Sequence, residues 1–230
     1  MKRKALQAAF PHTIPVMTGY LVLGISYGVL ITSFGFPFWM PMVTSLTIFA
    51  GSMEFVLVNL LLSGFDLLQA FLMTLMINAR HLFYGISMLE RYKGMGLKKL
   101  YMIFGLTDES FSVNCVTDPP EGVDRSWFMF FVTLLDHSYW VLGTTLGGIF
   151  GSLVRFNTEG LDFAMTALFV VIFIEQWKKD KNHLSAILGL ALPVVCLLIF
   201  GADSFMIPAM IAIFLGLAAV RKSLEKEAAV

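Results

Sequence analysis

Charge is what this sequence is short of. Asp, Glu, Lys and Arg make up 14% of its 230 residues, against about 25% in an ordinary soluble domain. So little polar surface cannot face water all round, and a lipid environment must stand in for it. Cysteine is scarce too: Cys115 and Cys196 each sit inside an apolar stretch. Neither has CxxC or metal-type spacing, so both read as small buried hydrophobes rather than redox or metal groups. Four histidines leave few ligands for any metal. The 16 basic and 16 acidic residues cancel, so overall charge points to neither a nucleic-acid nor an anionic partner. There is no phosphate-cradling G-x-x-x-x-G-K-S/T loop, hence no ATP hydrolysis by this chain, and no cofactor is expected.

What is present is apolar: 57% of the chain is hydrophobic, including 22 Phe, 19 Gly and 14 Met, and the mean hydropathy is +0.79. Apolar segments recur at 14–33, 38–63, 67–89, 100–117, 127–154, 161–177, 184–201 and 205–220. A bilayer crossing takes about 20 apolar residues, so most of these qualify and 100–117 is marginal. The opening Lys2-Arg3-Lys4 before an apolar stretch resembles a signal peptide. The stretch is too long for one, lacks a small-x-small cleavage site and is followed by others, so it reads as a first transmembrane helix. Linkers are short and built from turn residues, such as Gly35-Phe36-Pro37 and Asp118-Pro119-Pro120-Glu121-Gly122. The expected fold is all-α: a single polytopic transmembrane helical bundle of about eight apolar segments over 1–230.

Orientation exposes a conflict. Basic clusters sit at Lys2–Lys4, at Arg91, Lys93, Lys98 and Lys99, at Lys178, Lys179 and Lys181, and at Arg221, Lys222 and Lys226. The positive-inside rule puts all of them, with both termini, in the cytoplasm. Yet three apolar segments separate the first cluster from the second, and three more the second from the third, and an odd number of crossings cannot return the chain to the same side. Either one cluster is outside, or one segment in each triplet is re-entrant or broken. A faint internal repeat favours the second option. Leu23-Gly24-Ile25-Ser26-Tyr27-Gly28 resembles Leu142-Gly143-Thr144-Thr145-Leu146-Gly147, and a carboxylate follows each in a later segment, Glu54 and Glu175. Repeats with discontinuous helices are a transporter design, although plain G-x-x-x-G packing explains the glycines equally well.

The chemistry-bearing residues are the ionisable ones within apolar stretches, each costing about 2.5–3.5 kcal/mol at the bilayer centre even on lenient scales. Ala50-Gly51-Ser52-Met53-Glu54-Phe55 places small residues, Ser52 among them, before a deep carboxylate. The backbone can unwind there, or another helix can come close, and Glu54 can bind a cation or proton. In Asn78-Ala79-Arg80-His81-Leu82-Phe83-Tyr84-Gly85, helical spacing puts Asn78, His81 and Gly85 on one face and Arg80, Tyr84 and Ser87 on a neighbouring one. Arg80 cannot shed its proton, and its planar fork suits a carboxylate. Thr107-Asp108-Glu109-Ser110 suggests a polar break, and Asp136 lies deep beside His137, Tyr139 and Trp140, the last two candidate interface anchors. Four acids thus face one permanent cation. Protonation, a charged His or a bound cation must balance them, which fits a proton-coupled or cation-binding transporter.

At these residues the chain resembles the AzlC family, large subunits of two-component branched-chain amino-acid exporters. The likeness rests on the box ending at Glu54, on Asn78-Ala79-Arg80-His81 with Tyr84-Gly85, and on Leu106-Thr107-Asp108-Glu109-Ser110-Phe111. Tyr139-Trp140-Val141-Leu142-Gly143 and Glu175-Gln176-Trp177 add to it, over about residues 10–220. One departure is that the family pattern carries Gln where Glu54 stands. The resemblance implies export of hydrophobic amino acids, a small AzlD-like membrane partner subunit and a bacterial-type inner-membrane location.

The expected mechanism is secondary transport of a zwitterion. Arg80 clamps the substrate carboxylate, or holds Asp108 or Glu109 when empty. Glu54 or Asp108 meets the ammonium group or a coupling proton. Ser52, Asn78, His81, Tyr84 and Asp136 complete the candidate set, with Phe55, Phe83 and Met88 shaping an apolar pocket. Arg80 and the acids are expected to converge on a shared wet cavity. Two rival readings stand beside it. One is an intramembrane enzyme using His81 or His137 with Ser110 or Asp108, against which stands the lack of a G-x-S-x-G or H-E-x-x-H motif. The other is an assembly subunit without its own substrate path.

Overall fold

The structure is a computed structural model that describes residues 2–64, 66–153 and 183–201. Beyond these it describes positions 163, 167, 170, 173–174, 177–178, 205, 208–209, 211–213 and 215–220. Glu175, most of segment 161–177 and positions 206, 207, 210 and 214 of segment 205–220 lie outside the described residues. The chain divides into two compact units, Met1–Met165 and Thr166–Val230. Regular structure among the described residues is helical: α1 (Lys2–Ser33), α2 (Met40–Thr47), α3 (Gly51–Leu62), α4 (Leu67–Ile77), α5 (Arg80–Met88), α6 (Lys98–Phe104), α7 (Asp108–Val116), α8 (Arg125–Leu153) and α9 (Leu184–Phe200).

The first unit is built on α1 and α8. Contacts between them ascend in both chains together: Thr13 with Tyr139 at 3.1 Å, Gly24 with Gly143 and Thr144, Gly28 with Gly147 and Gly148, Gly151 with Val29. The two helices are therefore parallel. Their axes come close because the glycines present bare backbone. A Cβ placed on Gly24 would stand 2.9 Å from the Thr144 nitrogen, and one on Gly28 would collide with Thr144 O and Gly148 N. The two sequence boxes that looked like repeats are thus the two halves of one crossing.

Three apolar segments are broken. Segment 38–63 splits into α2 and α3, 67–89 into α4 and α5, and 100–117 into α6 and α7. A re-entrant or broken helix is one of the two options that the basic clusters leave open, and these three described segments each carry a break. Among the described residues, only α1, at 32 residues, is long and apolar enough to cross a bilayer by length and composition. The first break is forced at Phe49, whose φ of 46° is left-handed, a conformation that costs a bulky residue about 1–3 kcal/mol unless packing holds it. Its ring is buried and lies 4.3 Å from that of His137. The third break is closed by a cap, with Thr107 accepting from the Ser110 N–H while Ser110 Oγ accepts from the Thr107 N–H. α7 ends before Asp118-Pro119-Pro120, as the residue preceding a proline is disfavoured in helix.

The breaks fold two segments back on themselves. α2 starts beside Gly148 of α8 and descends to Ser45, which meets Thr144 and His137. α3 then turns back, with Gly51 against Trp140 and Phe55 against Tyr27. α4 and α5 run the full depth to Met88 and Tyr92, which pack with Ala9, Phe128 and Met129. From that end α6 climbs to Gly105, against Thr133, and α7 returns to Asn114, whose carbonyl accepts from Arg91. The two V-shaped excursions enter from opposite ends and meet at their tips, where the Phe49 and Phe104 rings are 6.3 Å apart. His137 ties them together: its Nε2–H donates to Ser45 O at 3.1 Å and its Nδ1 accepts from the Tyr101 hydroxyl at 2.8 Å. Lys2 and Lys98 both lie over the Trp127 ring, at 4.6 and 4.1 Å. The first two basic clusters therefore share one end, and it is a broken segment that restores the parity.

In the second unit α9 contains Pro193, the rings of Trp177 and His183 stack at 4.0 Å, and Gly216 lies against Leu192.

Candidate functional site

The candidate charges sit where half-helices begin. Glu54 is in the first turn of α3, Asp108 and Glu109 open α7, and Arg80 and His81 open α5. A helix N-terminus offers unpaired N–H groups and the positive end of the macrodipole, which suits the acids. Glu54 shows the effect: its Oε1 accepts from the Ala50 backbone N–H at 3.2 Å and from Trp140 Nε1–H at 2.9 Å. Its Oε2 is buried near Thr44, short of hydrogen-bond geometry.

Arg80 pairs with Asp108, Nη2 to Oδ2 at 3.1 Å, the side chains being 35% and 26% exposed. Tyr84, one turn along α5, stacks on Phe111 at 4.4 Å beside Asp108. His81 donates from Nδ1 to the Asn78 carbonyl at 3.2 Å. On the other side of Asp108, the Tyr20 hydroxyl lies 2.6 Å from Glu109 Oε2 and 2.9 Å from Thr107 Oγ1. Tyr20 also meets Trp140 edge to face at 5.5 Å. A continuous path of contacts thus runs from Arg80 through Asp108, Glu109, Tyr20 and Trp140 to Glu54. Asp136 borders this path near Glu109 and Tyr20. It is 0% exposed, and neither of its oxygens has a hydrogen-bond partner.

A cavity of about 700 Å³ lies between the first break and α4, α5 and α6. Phe49, Thr74, Asn78, His81, Met88 and Lys99 are among its lining residues, and most of the wall is aliphatic or aromatic. The charged path lies behind that wall, since neither Arg80 nor any of the four acids lines it. The expected convergence on one cavity is therefore only partial: Asn78 and His81 open onto it, while Arg80, Tyr84 and the acids form a polar layer alongside. Of the three expected pocket residues Met88 does line it. Phe55 packs on Tyr27, and Phe83 is exposed. Ser52 is half-buried in the first turn of α3. In the loop at the far end of the cavity, burial pushes the Tyr92 hydroxyl up to about 12, so it remains a protonated donor at any physiological pH.

Tyr20, Phe49, Tyr101 and Ser45 were not legible as site residues. In the sequence they are ordinary members of apolar runs, and only long-range packing gives their polar atoms partners. Trp140 and Tyr139 correct another expectation. Both are buried, Trp140 holding Glu54 and Tyr139 meeting Thr13, so neither serves as an interface anchor. The residues of the weighed enzyme are also committed elsewhere. Both ring nitrogens of His137 are engaged, and Ser110 Oγ donates to the Gly105 carbonyl at 2.8 Å.

The geometry at Glu54 makes a prediction. Glutamine can keep both accepted bonds through its carbonyl and turn its NH₂ towards the Thr44 hydroxyl. Glu54→Gln is therefore expected to unfold in detergent at the wild-type temperature. Glu54→Leu, which strands the buried indole N–H, is expected to lose about 1–3 kcal/mol. Thermal unfolding followed by tryptophan fluorescence compares them, and equal loss in both variants would mean that the negative charge, not the acceptor, matters.

Comparison with known proteins adds a lineage. Residues 15–154 match the family model described as AzlC protein. The chain is 60% identical over 222 residues, 96% of its length and 87% of the relative's, to a Bacillus subtilis protein named "Branched-chain amino acid transport protein AzlC". It is 47% identical over 213 residues, 92% of its length and 87% of the relative's, to an "Uncharacterized membrane protein" of Haemophilus influenzae. It is 28% identical over 179 residues, 74% and 72% of the two chains, to "Inner membrane protein YgaZ" of Escherichia coli. No solved structure matches it.

Proposed function

The chain is a membrane protein of the AzlC family, and from that premise we propose that it exports branched-chain and other hydrophobic amino acids across the bacterial inner membrane. The family is one of transport proteins, not of enzymes. Export is coupled to proton movement and carried out with a small AzlD-like membrane subunit. The N-terminus and the loops at 91–97 and 118–124 face the cytoplasm, and the two V-shaped excursions are re-entrant.

The observation that carries this reading is the Arg80–Asp108 pair at two facing half-helix starts, set against an apolar cavity of about 700 Å³. A branched aliphatic side chain needs a dry, roomy wall and a zwitterionic head needs a fork and a carboxylate, and the two lie side by side here. The guanidinium exchanges Asp108 for the substrate carboxylate, and the released Asp108 takes up the ammonium group. Asn78 and His81, at the boundary of wall and polar layer, orient the backbone of the amino acid. Glu54 holds the first break in shape.

The test is counterflow of radiolabelled leucine in proteoliposomes, with the partner subunit supplied. Unlabelled leucine, isoleucine or valine inside is expected to drive uptake of label. Lysine inside is expected to drive none, because the described residues of the cavity wall include no acid to meet a second positive charge. Absence of leucine exchange, or equal exchange with lysine, would overturn the reading.

A further inference from the structure

Asp136 is unused by the mechanism above, and its surroundings are unusual. It sits one turn before Trp140 on α8, is 0% exposed, and has both carboxylate oxygens buried without a hydrogen-bond donor. A carboxylate in such a place is uncompensated unless something binds it. Among the described residues its neighbours offer no permanent cation. From α7 it faces Glu109, a second acid. From α1 it faces Tyr20, whose hydroxyl is already turned to Glu109 at 2.6 Å. On its own helix His137 is spoken for at both nitrogens, by Ser45 of α2 and Tyr101 of α6. Arg80, the fixed cation of the layer, is held by Asp108 at 3.1 Å.

Two ligands could balance such a site, a metal cation or a proton. A divalent metal cation held by side chains needs several acidic, histidine or cysteine ligands. Among the described residues no group of three acidic, histidine or cysteine side chains could hold one. A proton needs a single acceptor, and Asp136 offers two empty ones.

We propose that Asp136 is the proton-carrying site of this transporter and that Glu109, gated by the Tyr20 hydroxyl, is the group to which it passes the proton. Asp136 and Glu109 are not in hydrogen-bond contact, so the transfer runs through a water. The O–H bond on Asp136 breaks with Asp136 keeping the electron pair, the water takes that proton, and it gives up one of its own to a Glu109 oxygen. Neutral Glu109 no longer competes for positive charge beside Asp108, so Asp108 keeps Arg80. With Glu109 ionised, the local negative charge grows and the ammonium group of the substrate is held in preference. Proton and substrate thus bind the same polar layer in alternation, which is the requirement for exchange of one for the other.

This inference rests on the transport reading above, and the experiment separates the two. Proteoliposomes containing the complete chain and its partner subunit are loaded with labelled leucine and the pH dye pyranine, in sodium-free medium. In the wild type, a pH difference is expected to drive leucine flux, and leucine flux to move protons. In Asp136→Asn, pH-driven flux is expected to fall about tenfold or more, within the usual range of a coupling free energy. Leucine–leucine exchange, which moves no net proton, is expected to fall far less. Glu109→Gln, fixed in the neutral state that no longer favours the ammonium group, is expected to lose leucine exchange together with coupling. Tyr20→Phe is expected to keep coupling with a shifted pH profile. A wild type without leucine exchange overturns the transport reading and this proposal with it. Exchange that ignores the pH difference, a requirement for sodium, or full coupling in Asp136→Asn overturns this proposal alone. Should Asp136→Asn fail to fold, infrared difference spectra of the wild type across a pH step decide. The proposal expects a buried carboxyl band that is lost in Asp136→Glu by a shift, and no titrating buried carboxyl would refute it.

Discussion

Gly28→Leu is expected to leave no folded protein. The added Cβ alone would collide with Thr144 O and Gly148 N, and these are backbone atoms of a 29-residue helix with no side chain to swing aside. Relief requires α1 and α8 to separate along the whole crossing that runs from Gly24 to Gly151. Even Gly28→Ala is expected to cost about 1–3 kcal/mol or more, the range for overpacking a tight core. Gly147→Ala, whose Cβ would meet the Ile25 carbonyl, is expected to match it. The control lies two turns earlier on the same helix. Gly19 has open space where a Cβ would go, so Gly19→Ala is expected to be neutral or to gain up to about 1 kcal/mol from helix propensity. Size-exclusion profiles and thermal unfolding of detergent extracts compare the four. Equal behaviour of Gly19→Ala and Gly28→Ala would refute the close crossing.

The second large effect is at the ion pair. Arg80→Ala is expected to lower leucine flux about 10–100-fold, the equivalent of about 1.5–3 kcal/mol for a lost charged hydrogen bond. Arg80→Lys is expected to recover only part, because a point charge cannot reproduce a planar fork. Asp108→Asn discriminates between roles. If Arg80 serves the substrate carboxylate and Asp108 the ammonium group, Asp108→Asn lowers leucine affinity and slows turnover, because the freed guanidinium does not replace the lost ammonium partner. If the pair only braces α5 against α7, Asp108→Asn weakens stability and leaves affinity unchanged. The double replacement Arg80→Asp with Asp108→Arg would restore a brace but not a transporter. Binding by scintillation proximity and flux in proteoliposomes measure the two quantities separately.

Much of the site was legible because its cost is local. An acid or arginine among apolar residues is anomalous wherever the chain goes, and so Glu54, Arg80, Asp108, Glu109 and Asp136 stood out. The break at Thr107-Asp108-Glu109 could be read from the same residues, and the small box before Glu54 indicated where a backbone might unwind. The partners could not be read. Trp140 and Glu54 are 86 positions apart, Tyr20 and Glu109 are 89, and His137 and Ser45 are 92. Each of those bonds depends on how the chain returns, and an aromatic or a serine in an apolar run carries no mark of which return it makes.

The sequence by itself determined that this is an all-helical, membrane-protein chain of the AzlC family, and that a few charges stand within apolar stretches where their burial is costly. Tertiary structure decided the rest. It showed that the two glycine boxes meet in one parallel crossing, because only contact shows which partner a bare helix face takes. It showed that three apolar segments are broken, because a half-helix is tolerable at depth only where neighbours satisfy its free backbone groups. And it put the charges in a layer beside the cavity rather than within it, a choice made by Phe49, His137 and Trp140 packing between elements distant in the chain.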